Sequence, residues 1–169
     1  MALPQILVIT AVPGAPATSD LSPGWADSFP EEHSPTASWK ISPMSYSVGP
    51  SPIAPGEVTH GWDLLPRVAE SALVHICRPF TRAGEAALVA AKSLGKKIVL
   101  SDFEHSTSAV GASLQMTSLA DCLVCRSEAE ARPYSNHPWV AILDLTSRES
   151  WPAVGDIYSN LLGAGASSA

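Results

Sequence analysis

A Rossmann-like α/β domain, doubly wound around a mostly parallel sheet with helices on both faces, is the fold this sequence predicts. Three observations predict it. Runs that are apolar at nearly every position recur along the chain, among them "ILVITAV", "ALVHIC", "KIVLS" and "WVAILDL". Uninterrupted apolarity marks strands buried on both sides, as strands of a parallel sheet are. From residue 61 onward these runs alternate with helical patterns, which is the signature of βαβ units. Finally, 169 residues at 46% hydrophobic and 15% charged are enough for one domain with its own core. The expectation is a single domain over residues 1–163, followed by a short flexible tail, "AGASSA", at 164–169.

The first strand is "ILVITAV". No basic residue precedes it, so it reads as a buried strand and not as a secretory leader. Residues 13–60 then hold nine of the fifteen prolines together with many Ser and Gly. Proline removes ladder donors and breaks helices, so this segment is expected to be mostly irregular, with two short strands near "ASWKIS" and "SYSV". In "WDLLPRVAES" the spacing puts Trp62, Leu65, Val68 and Ala69 on one helical face, with Pro66 near the first turn, where proline is tolerated.

The strand "ALVHIC" follows, then a helix in "GEAALVAAKSL" with Ala87, Leu88, Ala91 and Leu94 on one face and Gly95 as a left-handed stop. "KIVLS" is the next strand. "SAVGASLQMTSLA" reads as a weaker helix and "CLVCR" as a strand. Ser127 and Glu130 form a capping-box pattern, and Pro133 cuts that helix short. "WVAILDL" is the last strand. Ser150 is placed to cap "WPAVGDIYSNLLG", whose Trp151, Val154, Ile157, Tyr158 and Leu161 make an apolar stripe ending at Gly163.

Composition excludes several function classes. A net charge of −6 with ten Lys plus Arg leaves no basic face for nucleic acid or an anionic bilayer. No apolar run is long enough to span a membrane. Cys77, Cys122 and Cys125 all fall in strand-like runs, which suggests reduced core thiols and a cytoplasmic protein. Cys122 and Cys125 spell C-x-x-C, but inside a strand, where alternation sends the two thiols to opposite faces. No second ligand pair for zinc accompanies them. His33, His60 and His137 show no metal-binding spacing, and the five tryptophans read as packing anchors, with Trp25 also a candidate for stacking on a sugar. There is no G-x-G-x-x-G after the first strand, no G-x-x-x-x-G-K-[ST] and no G-x-S-x-G.

In open α/β sheets ligands sit at the carboxyl ends of the strands. That directs attention to Gly14, to Arg78, Thr81 and Arg82, to Asp102, Glu104 and His105, and to Ser127. His105, beside Asp102 and Glu104, is placed to act as a general base or to hold a phosphate oxygen, a solvated loop histidine being the competing reading. Arg78 and Arg82 suit bidentate phosphate binding, against ordinary surface charge. His75, inside a buried strand, is expected to be a satisfied core histidine.

From about Ala72 to Ala131 the order of pieces resembles the N-terminal domain of retaining GT-B glycosyltransferases of the "glycosyltransferase subfamily 4-like" kind. The pieces are "VHIC" (74–77), "PFT" (79–81), "LGKKIVLSD" (94–102) and "ADCLVCRS" (120–127). The resemblance implies a sugar-transfer protein whose acceptor side is built from the loops above, with His105 and Asp102 as catalytic candidates. Gly14, Arg78, Thr81, Arg82, Glu104 and Ser127 are its substrate-binding candidates. It also implies a UDP-, GDP- or ADP-sugar as donor and a saccharide or small-molecule acceptor.

The chain departs from the family pattern in keeping only a lone Gly14 of the glycine-rich loop and in having no two glutamates eight positions apart. The donor-binding domain is therefore expected from a second chain, or the assembly from a homo-oligomer. Residues 150–162 resemble the closing helix that crosses back onto the first domain. Two other readings stay open: a non-catalytic binding protein derived from a glycosyltransferase, and an unrelated small Rossmann-like nucleotide-binding enzyme.

Overall fold

A computed structural model describes residues 3–11, 39–46, 58–59, 61–103 and 110–163. The strands are β1 (Gln5–Ala11), β2 (Lys40–Tyr46), β3 (Val58–Thr59), β4 (Leu73–Cys77), β5 (Lys97–Ser101), β6 (Cys122–Cys125) and β7 (Val140–Ile142). The helices are α1 (Gly61–Glu70), α2 (Arg82–Ser93), α3 (Val110–Thr117), α4 (Glu128–Ala131) and α5 (Trp151–Leu161). Single 3₁₀ turns at Arg132–Tyr134 and Arg148–Ser150 complete the described elements. The strands form one sheet in the order β3-β2-β1-β4-β5-β6-β7, and every pairing is parallel. The architecture is thus α/β and Rossmann-like, as the apolar runs predict. Among the described residues no helix is long and apolar enough to cross a membrane.

Both faces of the sheet are covered. Leu7, Ile9, Val74, Ile76, Ile98, Leu100 and Leu123 point to a first face, where Leu64 and Val68 of α1, Ala87, Leu88 and Ala91 of α2, and Tyr134 pack on them. Ile6, Val8, Leu73, Val99, Cys122 and Val124 point to the second face, against Trp151, Val154, Ile157 and Tyr158 of α5 and against Trp39 and Leu145. Helices α2 and α4, and the residues around the end of α3, lie on one face while β4 to β7 step in one direction. That is what crossovers of a single hand require. The last helix lies on the opposite face, packed on the sheet as the sequence predicts.

Local rules account for the element ends. Thr81 caps α2: its Oγ1 accepts from Gly84 N at 3.1 Å. Gly95, at φ +64°, closes α2, with its own N–H donating to Lys92 O and Lys96 N to Ala91 O, both at 3.0 Å. Ser127 caps α4 by accepting from Glu130 N; the Glu130 carboxylate reaches back past the cap to accept from Arg126 N, so the capping-box pattern forms with its return bond displaced by one residue.

Four expectations are corrected. In the Pro-rich segment, Lys40–Tyr46 is one continuous strand, β2, where two short ones near "ASWKIS" and "SYSV" are expected. Lys40 N donates to Pro4 O, so even-numbered residues of β2 turn their backbone groups to β1 and Pro43 turns away from it. On that outer side β3 pairs, among the described residues, with Ser45 and Tyr46 only, so the missing N–H of Pro43 interrupts no ladder among them. In α1 the buried pair is Leu64 and Val68; Leu65 is 55% exposed and Ala69 is exposed as well. The helix starts at Gly61, which puts Pro66 in its second turn and not its first. Ser150 makes no side-chain cap to α5: it sits in the α-region at the end of the preceding 3₁₀ turn, which runs straight into the helix. Smaller differences are that β7 spans Val140–Ile142 only and that Leu94, at the C-cap, is exposed.

Candidate functional site

Strand order reverses between β1 and β4: the chain moves one way from β1 to β2 and the other way from β4 to β5. The crevice at the carboxyl ends of these strands is where open α/β sheets bind ligands. Arg78 directly follows β4 and Asp102 directly follows β5, and the last residues of those strands, Cys77 and Ser101, are register partners. Arg78 and Asp102 therefore emerge side by side. Arg78 N donates to Ser101 O at 3.0 Å, and Arg78 Nε donates to Asp102 Oδ2 at 3.0 Å. The Arg78 side chain is only 11% exposed and that of Asp102 30%.

Both residues hold left-handed backbones, φ 62° for Arg78 and 58° for Asp102. Neither is glycine, so each costs on the order of 1 kcal/mol. Two such residues on neighbouring strand ends persist because the surroundings hold them. Thr81 Oγ1 donates to Arg78 O at 3.0 Å. Gly84 lets the loop fold against the first turn of α2: a Cβ there would sit 2.3 Å from Arg78 O and 2.6 Å from Pro79 Cα. Beneath the loops Phe80, Phe103 and Tyr134 form a buried aromatic row, with centroid spacings of 5.6 and 5.2 Å.

Of the predicted site residues, then, Arg78, Thr81 and Asp102 are brought together. Thr81 is engaged as a helix cap. Arg82 opens α2 and is exposed. Ser127 is exposed and committed to capping α4, one strand farther along the sheet. Gly14, Glu104 and His105 lie outside the described residues, as do Trp25, His33, His60 and the 164–169 tail. The arrangement offers a carboxylate able to accept a hydroxyl proton or hydrogen bond, fixed beside a guanidinium.

Below this rim lies a group that sequence reasoning recognises only in part. His75, fully buried in β4, places Nδ1 2.6 Å from Tyr158 Oη and Nε2 2.8 Å from Ser101 Oγ. Ser101 Oγ in turn donates to Cys77 Sγ at 3.5 Å. Burial lowers the imidazole pKa to about 3 and pushes the Cys77 thiol up to about 12, so both are neutral at pH 7. The satisfied core histidine is as expected. Its partners are not, although the sequence carries one signal: His75 is the polar residue within β4, and Ser101 the polar residue that ends the apolar run of β5.

The cysteines are free and buried, Cys122 on the second face and Cys125 on the first, as strand alternation requires. Burial raises both to about 12, which leaves them unreactive. Among the described residues no three His, Cys, Asp or Glu side chains are grouped to hold a metal. An open groove of about 500 Å³ beside β7 is lined by Glu128, Ala131, Arg132, Ser135, His137, Val140 and Ile142, and shares no residue with the strand-end site. No family model, curated protein or solved structure matches the chain.

Proposed function

We propose that this chain is a glycosyltransferase-like lobe, the acceptor-side half of a GT-B arrangement. In this reading it transfers a sugar from a nucleotide-sugar together with a second chain, or a second copy, that supplies the donor-binding half. The observation that carries the reading is the Arg78–Asp102 pair: two left-handed, non-glycine residues joined at the strand ends where the sheet order reverses. Strain of this kind is retained where it fixes side chains for work. Asp102 then receives an acceptor hydroxyl, with His105 as the neighbouring candidate base, and Arg78 holds the carboxylate in place. The packing of α5 back onto the sheet supports the same reading, since a closing helix does this in a two-lobed enzyme.

A melting-temperature screen with UDP-, GDP- and ADP-sugars and with free saccharides tests it. A ligand at a hundred times its Kd stabilises the native state by about 2.7 kcal/mol, a shift of roughly 5 to 10 °C for a chain of this size. The expected result is such a shift with at least one saccharide or nucleotide-sugar, abolished in Asp102→Asn. No shift with any member of the panel overturns the proposal. Turnover of a nucleotide-sugar by the chain as a monomer replaces it with the independent nucleotide-binding enzyme.

A further inference from the structure

A continuous set of hydrogen bonds runs from the last helix to the strand-end pair. Tyr158 of α5 meets His75 in β4, and His75 meets Ser101 at the end of β5. Ser101 O accepts from Arg78 N, and Arg78 Nε donates to Asp102. Every side chain from Tyr158 to Ser101 is fully buried, so each bond replaces one that water would otherwise provide. The proton placement follows from donor inventory. With the Ser101 hydroxyl proton directed at Cys77 Sγ, the serine oxygen accepts from His75 and the imidazole proton sits on Nε2; a thiol proton given to Ser101 instead would reverse the order. In the first arrangement Nδ1 is an acceptor, and Tyr158 donates to it.

We infer that His75 is a positioning residue for the strand-end site: held as the neutral Nε2–H tautomer between Tyr158 and Ser101, it fixes the end of β5 and thereby the left-handed Arg78–Asp102 turn pair. Docking of α5 is in this way tied to the geometry of the site on the opposite end of the bond chain. A hydrophobic residue at position 75 would fill the same space but take the imidazole bond from two buried hydroxyls, and leave the strand ends without that constraint. The inference rests on the strand-end reading for its functional meaning, but its physical content is testable without any ligand.

Nitrogen-15 NMR of the imidazole in the unmodified full chain decides the first part. Nε2 protonated and Nδ1 bare at pH 7 is expected; the Nδ1–H tautomer, or a charged ring, overturns the assignment. The second part compares the unmodified chain with Tyr158→Phe, which removes one hydroxyl and keeps the ring against Trp39. Hydrogen exchange of Arg78 Nε–H is expected to speed up tenfold or more, while the amides of β6 keep their protection. Unchanged Arg78 exchange overturns the inference, and so does an equal loss of protection across β6, which would mean plain destabilisation. Should Tyr158→Phe fold poorly, Ser101→Ala, which cuts the chain at its other end, gives the same comparison by the same criteria. If Arg78 responds as expected while no saccharide or nucleotide-sugar binds, the proposed function fails and the positioning role stands; binding with an unresponsive Arg78 is the reverse.

Discussion

The two faces of the sheet are covered by different means. On the first, aliphatic strands meet Leu64, Val68, Ala87, Leu88 and Ala91, and the contact is mainly apolar, with one side-chain bond from Arg67 Nη2 to Ser42 Oγ at 2.8 Å. On the second, α5 brings a tyrosine to a buried histidine, and Trp39 Nε1 donates to Ser159 Oγ at 3.1 Å. Trp39 also stands edge-on to Tyr158, with ring centroids 5.5 Å apart. An apolar cover accepts many sequences and many small shifts, whereas a hydrogen-bonded one accepts a single register. The second face thus specifies where the terminal helix sits, and the first supplies bulk stability.

Acid should separate the faces most strongly. In the unfolded chain the imidazole of His75 takes up a proton below about pH 6.5, whereas in the native protein it does so only near pH 3. Between those values the unfolded state binds more protons, so stability falls as pH falls, by about 1.4 kcal/mol per pH unit from this group. Urea unfolding at pH 7 and pH 4.5 should show a loss of about 2 to 3 kcal/mol that is absent in His75→Leu. Equal pH dependence in the two proteins would refute a neutral buried His75.

Gly84→Ala is expected to have an effect of similar size. The added methyl collides with the backbone at Arg78 and Pro79, which cannot swing away as a flexible side chain would. A destabilisation of about 3 kcal/mol is expected by denaturant titration, together with weakened binding of any ligand found at the strand ends. A neutral result would mean that the loop is free to move off α2.

Much of this was legible from local pattern. Strands buried on both sides announce themselves by apolar runs, and the caps at Thr81, Gly95 and Ser127 obey short-range rules. What sequence did not reveal depends on partners far along the chain. Tyr158 and His75 are 83 positions apart and Arg78 and Asp102 are 24 apart, and no local periodicity encodes which polar groups will meet. Pro43 misleads for a related reason: proline forbids a ladder bond only if the strand has a neighbour on that side. Ser150 misleads because the turn before it is itself helical, which removes the extended backbone an N-cap needs.

A smaller effect is expected at Thr81, which serves both α2 and the rim. Thr81→Ala deletes the cap to Gly84 N and the bond to Arg78 O, for a cost of about 1 to 2 kcal/mol. Thr81→Ser keeps the hydroxyl and should recover most of that loss. Failure of serine to rescue would assign the effect to the methyl group and not to the hydrogen bonds.

The smallest effect tests the corrected face of α1. Leu65 is exposed although the pattern Trp62, Leu65, Ala69 nominates it for the core, whereas Leu64 and Val68 are buried against the first face of the sheet. The two alternatives differ by a rotation of about 100° about the helix axis, one residue's turn. If the helix lies as described, Leu65→Lys changes stability by less than about 0.5 kcal/mol, because the ammonium enters water and nothing is left behind. Leu64→Ala, one position away, should cost about 2 to 4 kcal/mol through the cavity it opens. A reversed ranking of these two neighbours would require α1 to be turned, and would return Leu65 to the interior that its spacing suggests.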